Sequence, residues 1–231
     1  MKEIKLIIGD LHCPYMHEDA VAFLTAIQKK YKPTEVVFMG DETDGHSISY
    51  HEHNPDLPSP GDELLKAIAQ LRPLYSLFPK ATILESNHGS LVYRKAITAG
   101  LPAAVLKGYR DILQAPKGWT WKYDYVMKTE RGDVYLHHGK TSSINKLSQN
   151  MAMSAVQGHF HSKFYISYWA SPVGLFWDSN VGCLIDHKSL AYAYGKNLVN
   201  KPILGCMVIE SGVPHLIPMH LNKSGRWTKK L

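Results

Sequence analysis

Three short apolar runs in the first half of this chain each stop at a residue that binds metal ions or moves protons. That repetition constrains the fold more than any other feature. Ile4-Lys5-Leu6-Ile7-Ile8 runs into Gly9-Asp10, Glu35-Val36-Val37-Phe38-Met39 into Gly40-Asp41, and Ala81-Thr82-Ile83-Leu84-Glu85 into Ser86-Asn87-His88. Runs of this length, rich in Val and Ile, read as buried strands. Between the first two, Asp19 to Tyr31 places Ala20, Phe23, Leu24, Ile27 and Tyr31 on one helical face. Between the second and third, Asp62 to Phe78 reads as a helix that Pro73 would kink or split. Strands alternating with helices predict parallel pairing, and the carboxyl ends of such strands share one sheet edge, where ligands bind. The polar residues that follow the three runs are therefore expected to meet.

The second half reads differently. Helical segments are expected at Leu91 to Ala99 and Ala103 to Leu113, and the polar, Pro-rich stretch Gly45 to Gly61 as a long loop of the kind usually tied to function. After Trp119, strands are expected at Trp121 to Lys128, Asp133 to His137, Ala155 to Gln157, Phe164 to Trp169, Val173 to Trp177, Ile203 to Glu210 and Val213 to Pro218. Ser142 to Met153 holds one short helix, and Ser211-Gly212 is a hairpin turn. With no repeat, low-complexity segment or linker in view, residues 1–231 are expected to form one domain. An alternating half followed by a strand-rich half predicts an α/β fold of two mixed sheets packed face to face with helices outside, a four-layer sandwich.

Composition narrows the function classes. Hydrophobic residues make up 45% of the chain, too many for a disordered one. The apolar runs fall far short of the roughly 20 residues that span a bilayer. Met1 to Lys5 carries charges of both signs, unlike a secretory signal, so no membrane association is expected. Cys13, Cys183 and Cys206 are widely spaced and form no CxxC pair. That argues against a thiolate zinc site or a disulfide framework and points to a cytoplasmic protein. Lys and Arg exceed Asp and Glu by 26 to 20, for a net charge of +6, partly from the tail residues Lys223, Arg226, Lys229 and Lys230. A mild surplus favours polyanionic partners without requiring them.

The chemistry lies in the strand ends. Beyond Asp10-x-His12, Asp41-x-x-Asp44 and Asn87-His88, later strands end in His137-His138-Gly139 and Gly158-His159-x-His161. A lone histidine at a strand end is usually a solvated loop residue; five clusters at five strand ends are not independent accidents. Carboxylates, imidazoles and one amide oxygen, without thiolate, suit Mn²⁺, Fe or Zn²⁺ in a working site better than a structural zinc. One ion rarely needs so many donors. Two ions sharing a carboxylate, roughly 3.5–4 Å apart, account for them and suit phosphoryl displacement.

In their order, D-x-H, GDxxD, N-H, H-G and GHxH resemble the signature of calcineurin-like metallophosphoesterases, from Leu6 to about Ser162. Small size and the Asn87-His88-Gly89 variant are reminiscent of bacterial or phage-encoded members. The resemblance implies that Asp10, His12 and His161 hold a first metal, that Asn87, His138 and His159 hold a second, and that Asp41 bridges them. It implies His88 as the catalytic group beside the scissile phosphate and Asp44 as the carboxylate that orients it. The implied cofactors are two divalent ions, Mn²⁺ first, with Fe, Zn²⁺, Ni²⁺ or Mg²⁺ as alternatives. The implied reaction is in-line attack on a phosphate ester by a metal-activated hydroxide. Two features depart from the pattern. Ser86 and Gly89 stand where the family has Gly and an acid, and the adjacent His137 and His138 compete for one ligand role. His138 is preferred because the family's ligand precedes Gly.

Weaker signals have blander readings beside them. Arg94 is a candidate grip on a substrate phosphate or a surface arginine. His51 and His53 line a cleft or are solvated loop residues, and Lys140 and Lys163 flank ligand motifs. Trp119, Trp121, Trp169 and Trp177 stack on bases or, more commonly, fill the core. Ser142 and Ser143 follow a histidine motif, but no GxSxG elbow accompanies them. The leading expectation is a phosphoesterase leaning to DNA, RNA or nucleotide substrates. A phosphomonoesterase acting on phosphoproteins or small phosphates is the alternative, and a catalytically silent binding module of the same fold stands as a different class.

Overall fold

The computed structural model describes residues 3–50, 55–186, 188–189 and 200–231. His51 and His53 lie outside the described residues. The first half builds β1 (Ile4–Ile8), α1 (Ala20–Tyr31), β2 (Glu35–Phe38), α2 (Pro60–Leu77), β3 (Lys80–Leu84), α3 (Leu91–Thr98) and α4 (Tyr109–Ile112). There follow β4 (Gly118–Lys122), β5 (Tyr125–Met127), β6 (Val134–His137), α5 (Lys146–Met151), β7 (Ser154–Gln157), β8 (Phe164–Ser171), β9 (Gly174–Val181), β10 (Gly205–Glu210) and β11 (Val213–Pro218).

These strands form two mixed sheets, ordered β11-β10-β1-β2-β3-β4 and β5-β6-β7-β9-β8. β1 to β4 are parallel to one another, and β10 and β11 extend the sheet antiparallel from β1. In the second sheet β6, β7 and β9 run parallel, with antiparallel strands at both edges.

Strand periodicity explains how the layers hold together. Alternate residues of a strand face opposite sides. Leu6 and Ile8 of β1 therefore turn outward to Phe23, Leu24 and Ile27 of α1 and to Leu71 and Leu74 of α2. Ile7 turns inward, joining Val37, Leu84, Val134, Leu136, Val156 and Met207 in the layer between the sheets. A strand covered on both faces must be apolar throughout, which is why β1 and β2 appear in the sequence as unbroken runs. On the far side Leu147 of α5 covers Tyr135 and Ala155. Helix, sheet, sheet and helix make the α/β sandwich expected from the sequence.

Helix boundaries follow their capping chemistry. Ser59 Oγ accepts a hydrogen bond from the Asp62 N–H, and Pro60 occupies the first turn of α2. Pro73 does not split α2, which continues to Leu77 with the proline on its exposed side. The loop expected from Gly45 to Gly61 carries a 3₁₀ turn at His46–Ile48 and yields to α2 at Pro60. Ala103 to Leu113 is not one helix, because Gly108 separates a 3₁₀ turn at Ala103–Val105 from α4.

One strand expectation is corrected more substantially. Trp121 to Lys128 is not a single strand: β4 closes the first sheet beside β3, and β5 opens the second. Alternation along a sequence has the same period on either side of such a crossing, so it could not register the change of sheet. The tryptophans are packed. Trp119 and Trp177 are buried, Trp121 Nε1 donates to Glu42 Oε1 at 2.9 Å, and Trp169 stacks on Phe176 at 4.8 Å.

Because Ile7 is fully buried between the sheets, Ile7→Ala is expected to destabilise the fold by about 2–5 kcal/mol. Urea unfolding followed by tryptophan fluorescence measures this.

Candidate metal centre

Five strands deliver the candidate ligands. Asp10 and His12 follow β1, Asp41 and Asp44 follow β2, Asn87 and His88 follow β3, His138 follows β6, and His159 and His161 follow β7. Backbone hydrogen bonds stitch these loops together. The N–H groups of Leu11 and His12 donate to the Asp41 carbonyl at 3.1 and 2.8 Å, Gly158 N–H to His138 O at 2.8 Å, and Leu184 N–H to Asp10 O at 2.7 Å. A side chain on Gly158 would bring Cβ to 2.6 Å from Asp10 Oδ1, so glycine is needed for this close approach. His12, Asp41 and His159 adopt positive φ of 50°, 47° and 65°. The left-handed region costs a non-glycine residue about 1–2 kcal/mol. Such strain persists where the surroundings enforce it, commonly at functional sites.

Of three side-chain groups, two share Asp41, and the third, His12, Asp44 and His88, adjoins them through His12. Asp10, His12, Asp41 and His161 place one donor atom each within 4.8 Å of one another, and so do Asp41, His138 and His159. Asp41 Oδ2 lies 3.4 Å from His12 Nε2 and 3.2 Å from His138 Nε2. Asn87 Oδ1 joins the second group, 2.7 Å from His138 Nε2 and 3.1 Å from His159 Nδ1. Asp41 stands between the two sets of donors.

Hydrogen-bond accounting tests whether cations fit here. His138 Nδ1 meets the Met39 carbonyl at 2.8 Å, so its proton belongs on Nδ1 and its Nε2 lone pair faces the oxygens of Asp41 and Asn87. His12 Nδ1 likewise meets Asp44 Oδ1 at 2.6 Å. Its Nε2 then points at His161 Nε2, 3.1 Å away, and His161 Nε2 is itself 3.0 Å from Asp10 Oδ2. The buried Asp10 Oδ1 has no hydrogen-bond partner among the described residues. Lone pairs converge on lone pairs. Extra protons or cations must occupy these points, and hard or borderline divalent ions match the donor set.

Proton affinities carry the same signature. Burial disfavours charge on His138, but the carboxylates of Asp41 and Asp10 outweigh it and push its pKa up to about 9. For His161, burial is likewise overcome by Asp10, and the shift is again upward. Burial would raise the Asp41 carboxyl, yet His138, His88 and His12 hold it well below the usual range. His138 and His161 thus carry the positive charge that a cation would bring, whereas burial shifts His12 and His159 downward and leaves them as neutral donors.

Around this cluster the structure distributes the remaining candidates. His88 packs edge-on to His12 with ring centroids 4.6 Å apart. Its backbone N–H donates to Asp41 Oδ1 at 3.0 Å, and its Nδ1 meets the backbone carbonyl of Asp44. The Asp44 carboxylate bonds His12 instead and stays 3.7 Å from His88 Nδ1. The orienting contact expected of the Asp44 side chain is therefore made by its main chain. His137 points away from the cluster, against Tyr123 and Tyr135. Burial, with Lys140 and His138 nearby, pushes its pKa down to about 4. Arg94 is exposed and donates to the Asn87 carbonyl at 2.6 Å. It stands at a groove of about 440 Å³ that also borders Asn87, His138 and His159.

The contacts of three supporting residues were not read from the sequence, although Ser86 was marked there as a departure from the motif. Ser86 Oγ accepts from the N–H groups of Asp41 at 2.8 Å and Gly89 at 3.1 Å, tying the loops after β2 and β3. Asn180, buried at the end of β9, donates to Gly158 O at 2.7 Å and accepts from Gly182 N–H at 3.1 Å, pinning the His159–His161 loop. Glu42, beside Asp41, is buried with Oε2 unpartnered among the described residues. An acid directly after Asp41 was the available signal for Glu42; Asn180 follows Asp178 and Ser179 in β9 and had none.

The sequence matches no protein-family model and no curated protein. Similarity appears in three dimensions. Vps29 from Chaetomium thermophilum aligns over 98% of this chain and 94% of its own, at 12% identity and a TM-score of 0.50. The same protein complexed with the cyclic peptide RT-D3 aligns over 99% and 93%, at 12% identity and a TM-score of 0.51. The likeness is one of fold, two mixed sheets flanked by helices. Identity this low speaks to architecture alone, so the chemistry must be argued from the residues present.

If protons stand in for cations, pH will show it. The raised His138 pKa stabilises the folded, ion-free protein fully below its ordinary value of 6.5, and that stabilisation is lost as pH rises through about 9. The melting temperature of chelator-treated protein is expected to fall over this interval, and added Mn²⁺ to restore it by replacing the proton. A melting temperature indifferent to both pH and Mn²⁺ would contradict the account.

Proposed function

We propose that this chain is a divalent-metal-dependent phosphoesterase that hydrolyses phosphate esters at the Asp41 cluster. The observation that carries the proposal is the sharing of Asp41 between two groups of carboxylates and imidazoles, with His88 alongside. Asp10, His12, His161 and Asp41 would hold one ion and Asp41, Asn87, His138 and His159 the other, with Mn²⁺ the first to test. Bound there, the ions would supply Lewis-acid polarisation of the phosphoryl oxygens and acidify a water molecule.

The remaining work falls to the chain's own groups. His88 Nδ1 donates to the Asp44 carbonyl, which leaves Nε2 as the nitrogen available to the substrate. In its protonated form Nε2 gives its proton to the leaving oxygen as the phosphorus–oxygen ester bond breaks. The oxygen of water forms the new bond to phosphorus, and the proton that water loses passes to solvent. Asp44 fixes His12 through its carboxylate and His88 through its carbonyl, so one residue sets both imidazoles. Ser86 and Asn180 keep the ligand loops in place.

Nucleotide or nucleic-acid esters are the first substrates to test, on the net charge of +6 and on Arg94 beside the groove; monoesters such as phosphoproteins and small phosphates come second. A silent binding module is the reading from another class. It draws support from the peptide complex of Vps29, a protein of like fold.

Asp41→Asn and His161→Ala are expected to lose most bound metal and most turnover. His88→Ala is expected to retain metal while turnover falls about 10²–10⁴-fold. Elemental analysis beside assays on p-nitrophenyl phosphate, its bis-ester and labelled DNA and RNA measures both. Metal-replete protein inert on the whole panel would favour the binding module.

A further inference from the structure

Behind His88 lies a cavity of about 360 Å³ that the proposed chemistry does not use. Its walls are apolar: Ile48, Ala67, Ile112 and Leu113 line it, with Leu64 and Val92 at 37% and 39% exposure marking its rim. His88 and Gly89 border it, and His88 also touches the acid and imidazole cluster. One residue thus faces both spaces. A group joined to a phosphoryl centre beside His88 has this cavity within reach.

Charge and hydrogen bonding narrow what fits. Two carboxylates line the cavity, Glu42 and Glu63, and no lysine or arginine does among the described residues. Glu63 is committed to structure, accepting from the backbone N–H groups of His46 at 2.8 Å and Ser47 at 2.9 Å. Glu42 is not. Its Oε1 takes the Trp121 N–H at 2.9 Å, while its Oε2 is buried and unpartnered among the described residues. A buried acceptor without a donor is destabilising, and a ligand donor would relieve it. Gly89 matters here, because a Cβ on it would lie 3.5 Å from both Glu42 oxygens and 2.9 Å from Ser86 Oγ. Without a side chain at 89, no Cβ stands against the Glu42 oxygens.

We infer that the cavity receives the organic group of the ester, a compact neutral ring system such as an aryl group or a single nucleobase, whose N–H or O–H donates to Glu42 Oε2. The volume is at the lower end of small-molecule sites, which span roughly 300–1,000 Å³. Apolar walls favour a ring over a sugar, and the two carboxylates reject a second phosphate. A polynucleotide strand would not enter this cavity, whereas a small ester or the last unit of a chain would. The inference rests on the phosphoesterase reading for the identity of the ligand, and on the cavity itself for its chemistry.

Two measurements test it separately. Ion-free protein titrated calorimetrically with 2-naphthol is expected to bind it saturably. Val92→Trp, which fills the rim from α3, is expected to weaken binding at least about tenfold, as pocket contacts of this size do. Leu64→Trp does the same from α2 if the first variant folds poorly. An amino-substituted ring, 6-amino-2-naphthol, is expected to bind several-fold tighter than 2-naphthol, and Glu42→Gln to erase that preference while keeping the Trp121 bond. In Mn²⁺-loaded protein, the variant-to-wild-type ratio of kcat/KM is expected to fall about tenfold further for 2-naphthyl phosphate than for methyl phosphate. Equal ratios for both esters, or no binding of either naphthol by the ion-free protein, would overturn the inference and leave the phosphoesterase reading standing. Naphthol binding lost in Val92→Trp, with no ester hydrolysed by wild-type protein, would uphold the cavity's chemistry and overturn the phosphoesterase reading.

Discussion

Lone pairs facing lone pairs around Asp41 are the constraint on which the rest of this structure depends. His12 Nε2 and His161 Nε2 lie 3.1 Å apart, and His138 Nε2 points between two oxygens. Buried acceptors in such an arrangement repel unless a proton or a cation enters among them. The surrounding loops do not relax the conflict; they enforce it. Positive φ at His12, Asp41 and His159 and the close approach of Gly158 to Asp10 hold the side chains inward. A fold selected for stability alone would place apolar groups here. The sandwich instead devotes five strand ends to one cluster, and its two sheets are packed so that their loops meet.

How much of this was legible in the sequence depends on the range of the interaction concerned. Apolar runs followed by Asp, His or Asn are local, and they located β1, β2 and β3 together with the residues that come after them. The two-sided burial of β1 appears as an unbroken run, Leu6 to Ile8, because both faces are covered. The crossing from the first sheet to the second at Tyr123 and Asp124 left no mark, since side-chain alternation continues through it. Asp44 was found as a residue but misjudged in its contacts. A carboxylate three residues from Asp41 can reach either His12 or His88, and only the packing of the loops decides. Asn180 is the hardest case. Its role depends on Gly158 and Gly182 being brought together, and nothing within the β9 sequence announces that.

Choosing between an enzyme and a binding module turns on what each would need. A binding surface of this fold requires exposed contacts and has no use for a strained, buried cluster of imidazoles and carboxylates. Here carboxylates and imidazoles that could hold ions converge, His88 is held by two hydrogen bonds, and Asp44 serves two imidazoles at once. Arrangements in which each member restrains the next are expected where groups must be positioned before a substrate arrives.

The substitutions at positions 86 and 89, one of the departures from the motif the chain resembles, are physically coupled. Where the motif has glycine and an acid, this chain has Ser86 and Gly89. Ser86 Oγ accepts the N–H of Gly89 itself as well as that of Asp41, so the serine holds the turn that a side chain at 89 would otherwise help to set. An acid at 89 would stand against Glu42, whose oxygens lie 3.5 Å from where its Cβ would be. Two buried carboxylates at that separation cannot both stay charged without a partner. Losing the side chain at 89 and keeping Glu42 are therefore linked choices. The acid present here is Glu42 of the β2 loop, in the wall of the cavity beside the Asp41 cluster.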